Sequence, residues 1–180
     1  MDRRHFTALS AMALLPVALA PAAAQMQAQP SQAQGMGSQE ARHVTDTLMA
    51  GSVSLETSRV AISKASNPMV KRFARFESAE QETIAMVLKG RANIAENAMP
   101  KIEAGGKAMI DRLHDIKTSA EFDRAYVTGQ IEGHQRLLQI QEDYLSNGKD
   151  EAHRGIAMLA RGHIKEHLSD LDMLRKEMAG

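Results

Sequence analysis

The chain has 180 residues, 43% of them apolar, with 22 basic and 22 acidic side chains. That length supports one domain with a sizeable core, and the charge balance excludes the basic footprint of a nucleic-acid or anionic-lipid binder. The complete absence of cysteine excludes a disulfide framework, a thiolate metal site, a cysteine nucleophile and a bacterial lipid anchor.

Aromatic residues are only 3% and Trp is absent, while good helix formers dominate, so an all-α fold is expected. The N-terminal residues MDRRHFTALSAMALLPVALAPAAAQ have a charged start, an Ala/Leu-rich middle and Ala22-Ala23-Ala24 before Gln25. This is the layout of a cleavable secretory signal over residues 1–24. Its apolar run falls short of a membrane span of ~20 residues, so no membrane insertion is expected after cleavage. Arg3-Arg4 followed by His5-Phe6 resembles the twin-arginine signal, whose cargo crosses the membrane folded. Removal of residues 1–24 leaves 20 basic against 21 acidic side chains. Residues 25–39, QMQAQPSQAQGMGSQ, lack apolar periodicity and read as a disordered tether. The expected product is a soluble periplasmic protein, folded over residues 40–178.

From about Glu40, Val44, Leu48, Gly51, Leu55, Ser58, Ile62 and Ala65 follow one helical stripe. Asn67-Pro68 then supplies a cap and a first-turn proline, so a second helix starts at once and runs antiparallel to the first. On it, Val70, Phe73, Glu77, Glu80, Gln81, Ile84 and Leu88 share a face, and the pattern frays near residues 97–100. A short periodic piece over 108–116 lies in a connection long enough to traverse a bundle. Thr118 with Glu121 reads as a capping box for a third long helix ending at Asn147-Gly148. Its stripe is Val127, Ile131, His134, Leu138 and Leu145. A fourth helix from about Asp150 carries Ile156, Leu159, His163, His167, Leu171 and Leu174. Four such helices and the short extra one between the second and third make a four-helix bundle.

At ~1.5 Å per residue, Glu80, His134, His163 and His167 each lie ~18 to 26 Å from their own hairpin tip, near the middle of helices ~40 Å long. Glu77, Glu80, Gln81, His134, His163 and His167 can therefore converge on one cross-section whichever way the hairpins point. Carboxylates and imidazoles facing each other in a bundle are what a divalent metal needs. They can equally form a metal-free buried network of Glu and His, and both readings stay open.

Two sharper motifs are set aside. His163-Ile164-Lys165-Glu166-His167 matches the H-x-x-E-H zinc-peptidase pattern, but no substrate-binding sheet is predicted. Glu40-Ala41-Arg42-His43 is the one Glu-x-x-His match, whereas a di-iron carboxylate centre needs two, and it sits at a helix end. His114 and His153, also near helix ends, read as surface or helix-dipole residues. Glu56 reads as solvated and Ser54 as no better placed. The 12 methionines, scattered along the chain, read as core filler. Gly129 and Gly133 read as sites of close helix approach, and Gly162 likewise.

Val70-Lys71-Arg72-Phe73-Ala74, Phe122-Asp123-Arg124-Ala125-Tyr126 with His134, and His167-Leu168 resemble the signature segments of an exported bacterial family catalogued as a domain of unknown function. The resemblance covers most of residues 42–176, and the spacing from Phe-Asp-x-x-Tyr to His is its most specific part. Members are often titled outer membrane or periplasmic proteins and are regarded as ferritin-like four-helix bundles, which implies that fold and compartment here. Many have an Asp-His pair on the second helix where this chain has Glu80-Gln81, so the acid is kept in longer form and the histidine is lost. The leading expectation is a non-enzymatic periplasmic bundle holding one divalent metal through Glu80, His134 and His167, with His163 and Glu77 as supporting or alternative ligands. The second is a structural or interaction bundle, with a protein partner or a second copy. The third is a metal-dependent enzyme, for which no base or substrate pocket can be named.

Overall fold

The structure, a computed structural model, describes residues 36–179. The expected signal, and the tether up to residue 35, lie outside them. Helix α1 spans Ser38–Lys64, α2 Pro68–Arg91, α3 Ala104–Asp115, α4 Ala120–Asn147 and α5 Glu151–Glu177, and no strand occurs among the described residues. The fold is an all-α, ferritin-like four-helix bundle with the short α3 between its second and third long helices.

Local chemistry sets the helix ends. The Asn67 side chain accepts hydrogen bonds from the backbone N–H groups of Met69 and Val70, and Pro68 occupies the first turn, where its missing N–H costs nothing. α2 stops at Arg91, earlier than the expected fraying, because Asn93 takes a left-handed φ of 53°. The Ile94 and Asn93 N–H groups then bond back to the Lys89 and Gly90 carbonyls, closing the last turn. The cap of α4 is Ser119 rather than Thr118, its hydroxyl accepting from the Phe122 N–H at 3.3 Å. Glu121 therefore falls one position short of the reciprocal bond of a capping box.

Contacts between helix ends fix the topology. Arg91 at the tail of α2 pairs with Asp150 at the head of α5 at 2.7 Å, and Glu40 at the head of α1 accepts from Tyr144 Oη near the tail of α4 at 2.9 Å. The joint between α1 and α2 meets the head of α4, where Asp123 Oδ1 accepts from the Ser66 N–H. Each long helix thus runs antiparallel to both neighbours in the cyclic order α1, α2, α5, α4. Because α2 and α4 run the same way, residues 92–119 carry the chain back along the bundle, the single long crossover of ferritin-like folds. Within the crossover, α3 covers the seam between α1 and α4. Lys64 Nζ donates to the Leu113 and His114 carbonyls there, and Met109 lies against Gly129. The close approach expected at Gly133 and Gly162 is absent, since a Cβ at either would meet open space.

The inward faces differ from the expected stripes. On α4, beyond the buried Phe122, Asp123 and Tyr126 at its head, the buried positions are Val127, Gln130, His134, Leu137, Gln141 and Tyr144, while Ile131, Leu138 and Leu145 are half-buried. On α1, Leu55 and Ile62 are half-buried and Ser54, Thr57 and Ala61 are buried instead. On α5, Ala157, Ala160 and Ile164 are buried, whereas Leu159 is 70% exposed. The cause on α5 is that it diverges from α2, leaving a groove of ≈ 940 Å³ into which Leu159 and His163 face. One apolar cluster, around Val70, Phe73, Phe122, Tyr126 and Leu171, fills the end nearest the α1–α2 joint. A smaller one of Val44, Leu48 and Leu88 lies toward the other end, and a polar layer separates the two.

Candidate metal centre

Three of the six expected mid-height residues meet at one point. Glu77 from α2, His134 from α4 and His167 from α5 each bring a lone-pair atom there. Glu77 Oε2 is 2.9 Å from His167 Nδ1 and 3.3 Å from His134 Nε2, and the two ring nitrogens are 3.2 Å apart. Glu77 and His134 are wholly buried, and the His167 side chain is 12% exposed on the floor of the groove. The ring of Phe73 packs against both imidazoles.

The other three stand elsewhere. Glu80 lies on the far edge of the His167 ring, with Oε2 3.4 Å from Nε2. His163 is 55% exposed and reaches only Glu80, at 3.5 Å. Gln81 turns away toward Gly51 of α1, where a Cβ would collide with its Oε1. Structure thus brings Glu77, not Glu80, to the shared point, because α2 presents residue 77 to the bundle axis and residue 80 to the groove. Ser54 is the correction on α1: it is buried and donates to Glu77 Oε1 at 2.5 Å.

Backbone and side chains orient this set. His134 Nδ1–H donates to the Gln130 carbonyl one turn back at 2.8 Å, so its Nε2 presents a bare lone pair to the centre. Ser54 holds one Glu77 oxygen, while the other, Oε2, is buried without a hydrogen bond despite its nearness to both rings. Burial opposes charge on Glu77, but the His134 and His167 imidazoles and the Ser54 hydroxyl outweigh it and hold its carboxyl far below the usual carboxylate range. Burial likewise disfavours protonated His167, yet the Glu77 and Glu80 carboxylates lift it above the ordinary imidazole value. Burial raises Glu80, with Glu77 adding to the shift and the neighbouring histidines opposing it.

The donor set fits a metal ion. Atoms bonded at ~2.0–2.1 Å to a tetrahedral centre lie ~3.3 Å apart, close to the spacings here. A buried carboxylate oxygen without a hydrogen bond, facing a fixed imidazole lone pair, is a polar arrangement that a cation would complete. If His167 binds through Nδ1, its Nε2–H faces the Glu80 carboxylate, the outer partner that ligating histidines use.

A second buried histidine pair, His43 and His153, lies near the heads of α1 and α5, ~21 Å along α5 from His167, contrary to the surface or helix-dipole role expected of His153. His43 Nε2–H donates to Gln141 Oε1 at 2.8 Å, and the Gln141 amide donates to Thr47 Oγ1. His43 Nδ1 is then left to accept from His153 Nε2–H at 2.9 Å, and His153 Nδ1 stays buried without a partner. Burial lowers both histidines; Gln141 opposes this on His43, Arg91 reinforces it on His153, and Glu40 and Asp150 oppose it there. Folded values below the unfolded one mean that, as pH falls under ~6.5, the unfolded state takes up protons first and stability drops, by up to ~1.4 kcal/mol per pH unit per histidine. His167 acts in the opposite sense, its contribution being full below ~6.5 and lost as pH rises through its folded value. In chelated protein, the double substitution His43→Gln/His153→Gln should therefore flatten or invert the fall in Tm between pH 7 and pH 5. An unchanged slope would show that the pair does not govern it.

The sequence model of a family described as "Domain of unknown function (DUF4142)" matches residues 22–174. No curated protein matches the chain. A crystal structure of a DUF305 fragment from Deinococcus radiodurans is similar in fold, with a TM-score of 0.68 at 12% identity, covering 78% of this chain and 97% of that one. No helix among the described residues is long and apolar enough to cross a membrane.

Proposed function

Because the chain belongs to the DUF4142 family, whose members share a domain of unknown function, we propose a role read from the centre itself: a non-enzymatic, periplasmic metal-binding domain that holds one divalent ion through Glu77, His134 and His167. The observation that carries this reading is the buried Glu77 Oε2, without a hydrogen bond and 2.9 and 3.3 Å from two ring nitrogens. Two imidazoles and one carboxylate suit a borderline ion such as Zn²⁺. Bound there, the ion supplies positive charge that offsets the buried carboxylate. Glu80 orients His167 from outside, and His163 stands at the mouth. The twin-arginine-like leader and the small-residue cleavage site support export as a folded protein.

Titration of chelated protein with Zn²⁺, followed calorimetrically and by metal analysis, tests the proposal. One equivalent should bind, and His134→Ala and His167→Ala should each weaken binding by more than ~100-fold, beyond what outer-sphere changes produce. A second reading has its own observation: His167, raised by Glu77, pairs with it directly at 2.9 Å and could satisfy the layer without metal. Sub-stoichiometric metal, with both variants merely destabilised, would select that metal-free network.

A further inference from the structure

The groove between α2 and α5 is apolar where a bundle surface is normally polar. Met69, Phe76 and Val87 of α2 and Leu159 and Met173 of α5 line it and are exposed, Phe76 by 60% and Leu159 by 70%. Single exposed apolar residues need no explanation, but five along the two lips of one groove mark a surface that is covered in use.

The charges on the lips indicate what covers it. Arg72 on the α2 lip and Glu166 and Asp170 on the α5 lip line the groove, Arg75 lies on α2 just outside its lining, all four are exposed, and none of them forms an ion pair among the described residues. Arg72 lies instead over the Phe76 ring, 5.5 Å from its centroid. Phe73 and His167 pack with ring centroids 5.2 Å apart, so they mark one height on these antiparallel helices. Arg72 then stands within a turn of Asp170 in height, and Arg75 within a turn of Glu166. One lip is basic and the other acidic at the same level, yet within a single chain they do not meet.

We infer that the groove seats a second copy of this chain, in a two-fold dimer whose axis runs parallel to the helices. That rotation lays each α2 against the other copy's α5 at equal height. Arg72 and Arg75 then face acids across the interface, and Phe76 and Leu159 of each copy enter the other's groove. Such a contact is isologous, so every pair forms twice. An anionic bilayer would be repelled by the acidic lip, and an aliphatic small molecule would leave both charged lips unmatched. A second copy satisfies the apolar floor and the two lips together. The inference does not rest on metal binding, and its test uses chelated protein.

Sedimentation equilibrium of the purified protein from about 1 to 100 µM should show reversible association to twice the chain mass. Phe76→Glu/Leu159→Glu should be monomeric throughout with unchanged helical circular dichroism, since both residues lie at the surface. Arg72→Glu should weaken the dimer roughly tenfold, because each substitution removes two symmetry-related pairs. Arg72→Glu/Asp170→Arg should restore it. A monomer across the whole range overturns the inference, as does a dimer indifferent to Phe76→Glu/Leu159→Glu or a charge reversal that fails to rescue. Co-flotation of the monomer with zwitterionic phospholipid vesicles would also overturn it and assign the groove to lipid.

Discussion

Glu77→Gln is expected to abolish the rise in Tm that Zn²⁺ produces, starting from a metal-free Tm below that of the wild type. A ligand at ~100 times its Kd stabilises by ~2.7 kcal/mol, which for a domain of this size raises Tm by roughly 8 to 10 °C. The amide keeps an oxygen for the Ser54 hydroxyl, which donates to Oε1 of the native carboxylate. Its NH₂ takes the place of Oε2, an atom that accepts no hydrogen bond, and faces the bare His134 Nε2 lone pair. Removing one partner of the buried Glu77–His167 pair costs the metal-free fold some stability, so the diagnostic loss is the Zn²⁺-dependent rise, with metal affinity falling by about two orders of magnitude or more. Glu80→Gln is the control, because its carboxylate faces the outer nitrogen of His167 and such partners contribute only ~10- to 100-fold. If Glu80→Gln were the more damaging of the two, the roles assigned here to the two glutamates would be reversed.

The height of the polar layer is legible from the chain alone, because distance along a helix depends only on its rise. Its facing is less so. The inward-facing residues of α5 run His153, Ala157, Ala160, Ile164, His167, Leu171, Leu174, all buried but the partly exposed His167, spaced 4-3-4-3, the seam of a coiled-coil-like bundle rather than a broad 3.6-residue stripe. On that seam His153 belongs inside and His163 outside. The same spacing on α4 selects Gln130, Gln141 and Tyr144, polar residues that an apolar pattern passes over, while Ile131, Leu138 and Leu145 sit one position along. Glu77 and Glu80 are not separated by the sequence pattern. Both fall within one apolar arc of α2, and only the divergence of α5 decides that residue 77 faces the axis and residue 80 the groove. Ser54 had no sequence signal of its own, since its role exists only opposite Glu77.

Asp123→Ala should cost ~2 to 4 kcal/mol and leave metal affinity unchanged, separating the signature segment from the centre. Asp123 is buried at the head of α4, and its two oxygens accept from the Ser66 and Asn67 N–H groups at 2.9 and 2.8 Å and from the Ser66 hydroxyl. One carboxylate thus fastens the joint between α1 and α2 to a third helix, and bonds to a charged acceptor are among the stronger ones. Its neighbours in the signature serve the same end of the bundle. Phe122 fills the apolar cluster, and Tyr126 is paired with the Ser58 hydroxyl at 2.9 Å. His134 stands 11 residues further along α4, ~16 Å away at helical rise, beyond direct reach of the clamp. Urea unfolding measures the stability change, and Asp123→Asn, which keeps an acceptor oxygen but not the charge, should lose about half as much. Metal affinity falling together with stability in the alanine variant would show instead that the joint positions the ligands, and that Phe-Asp-x-x-Tyr and His134 act as one unit.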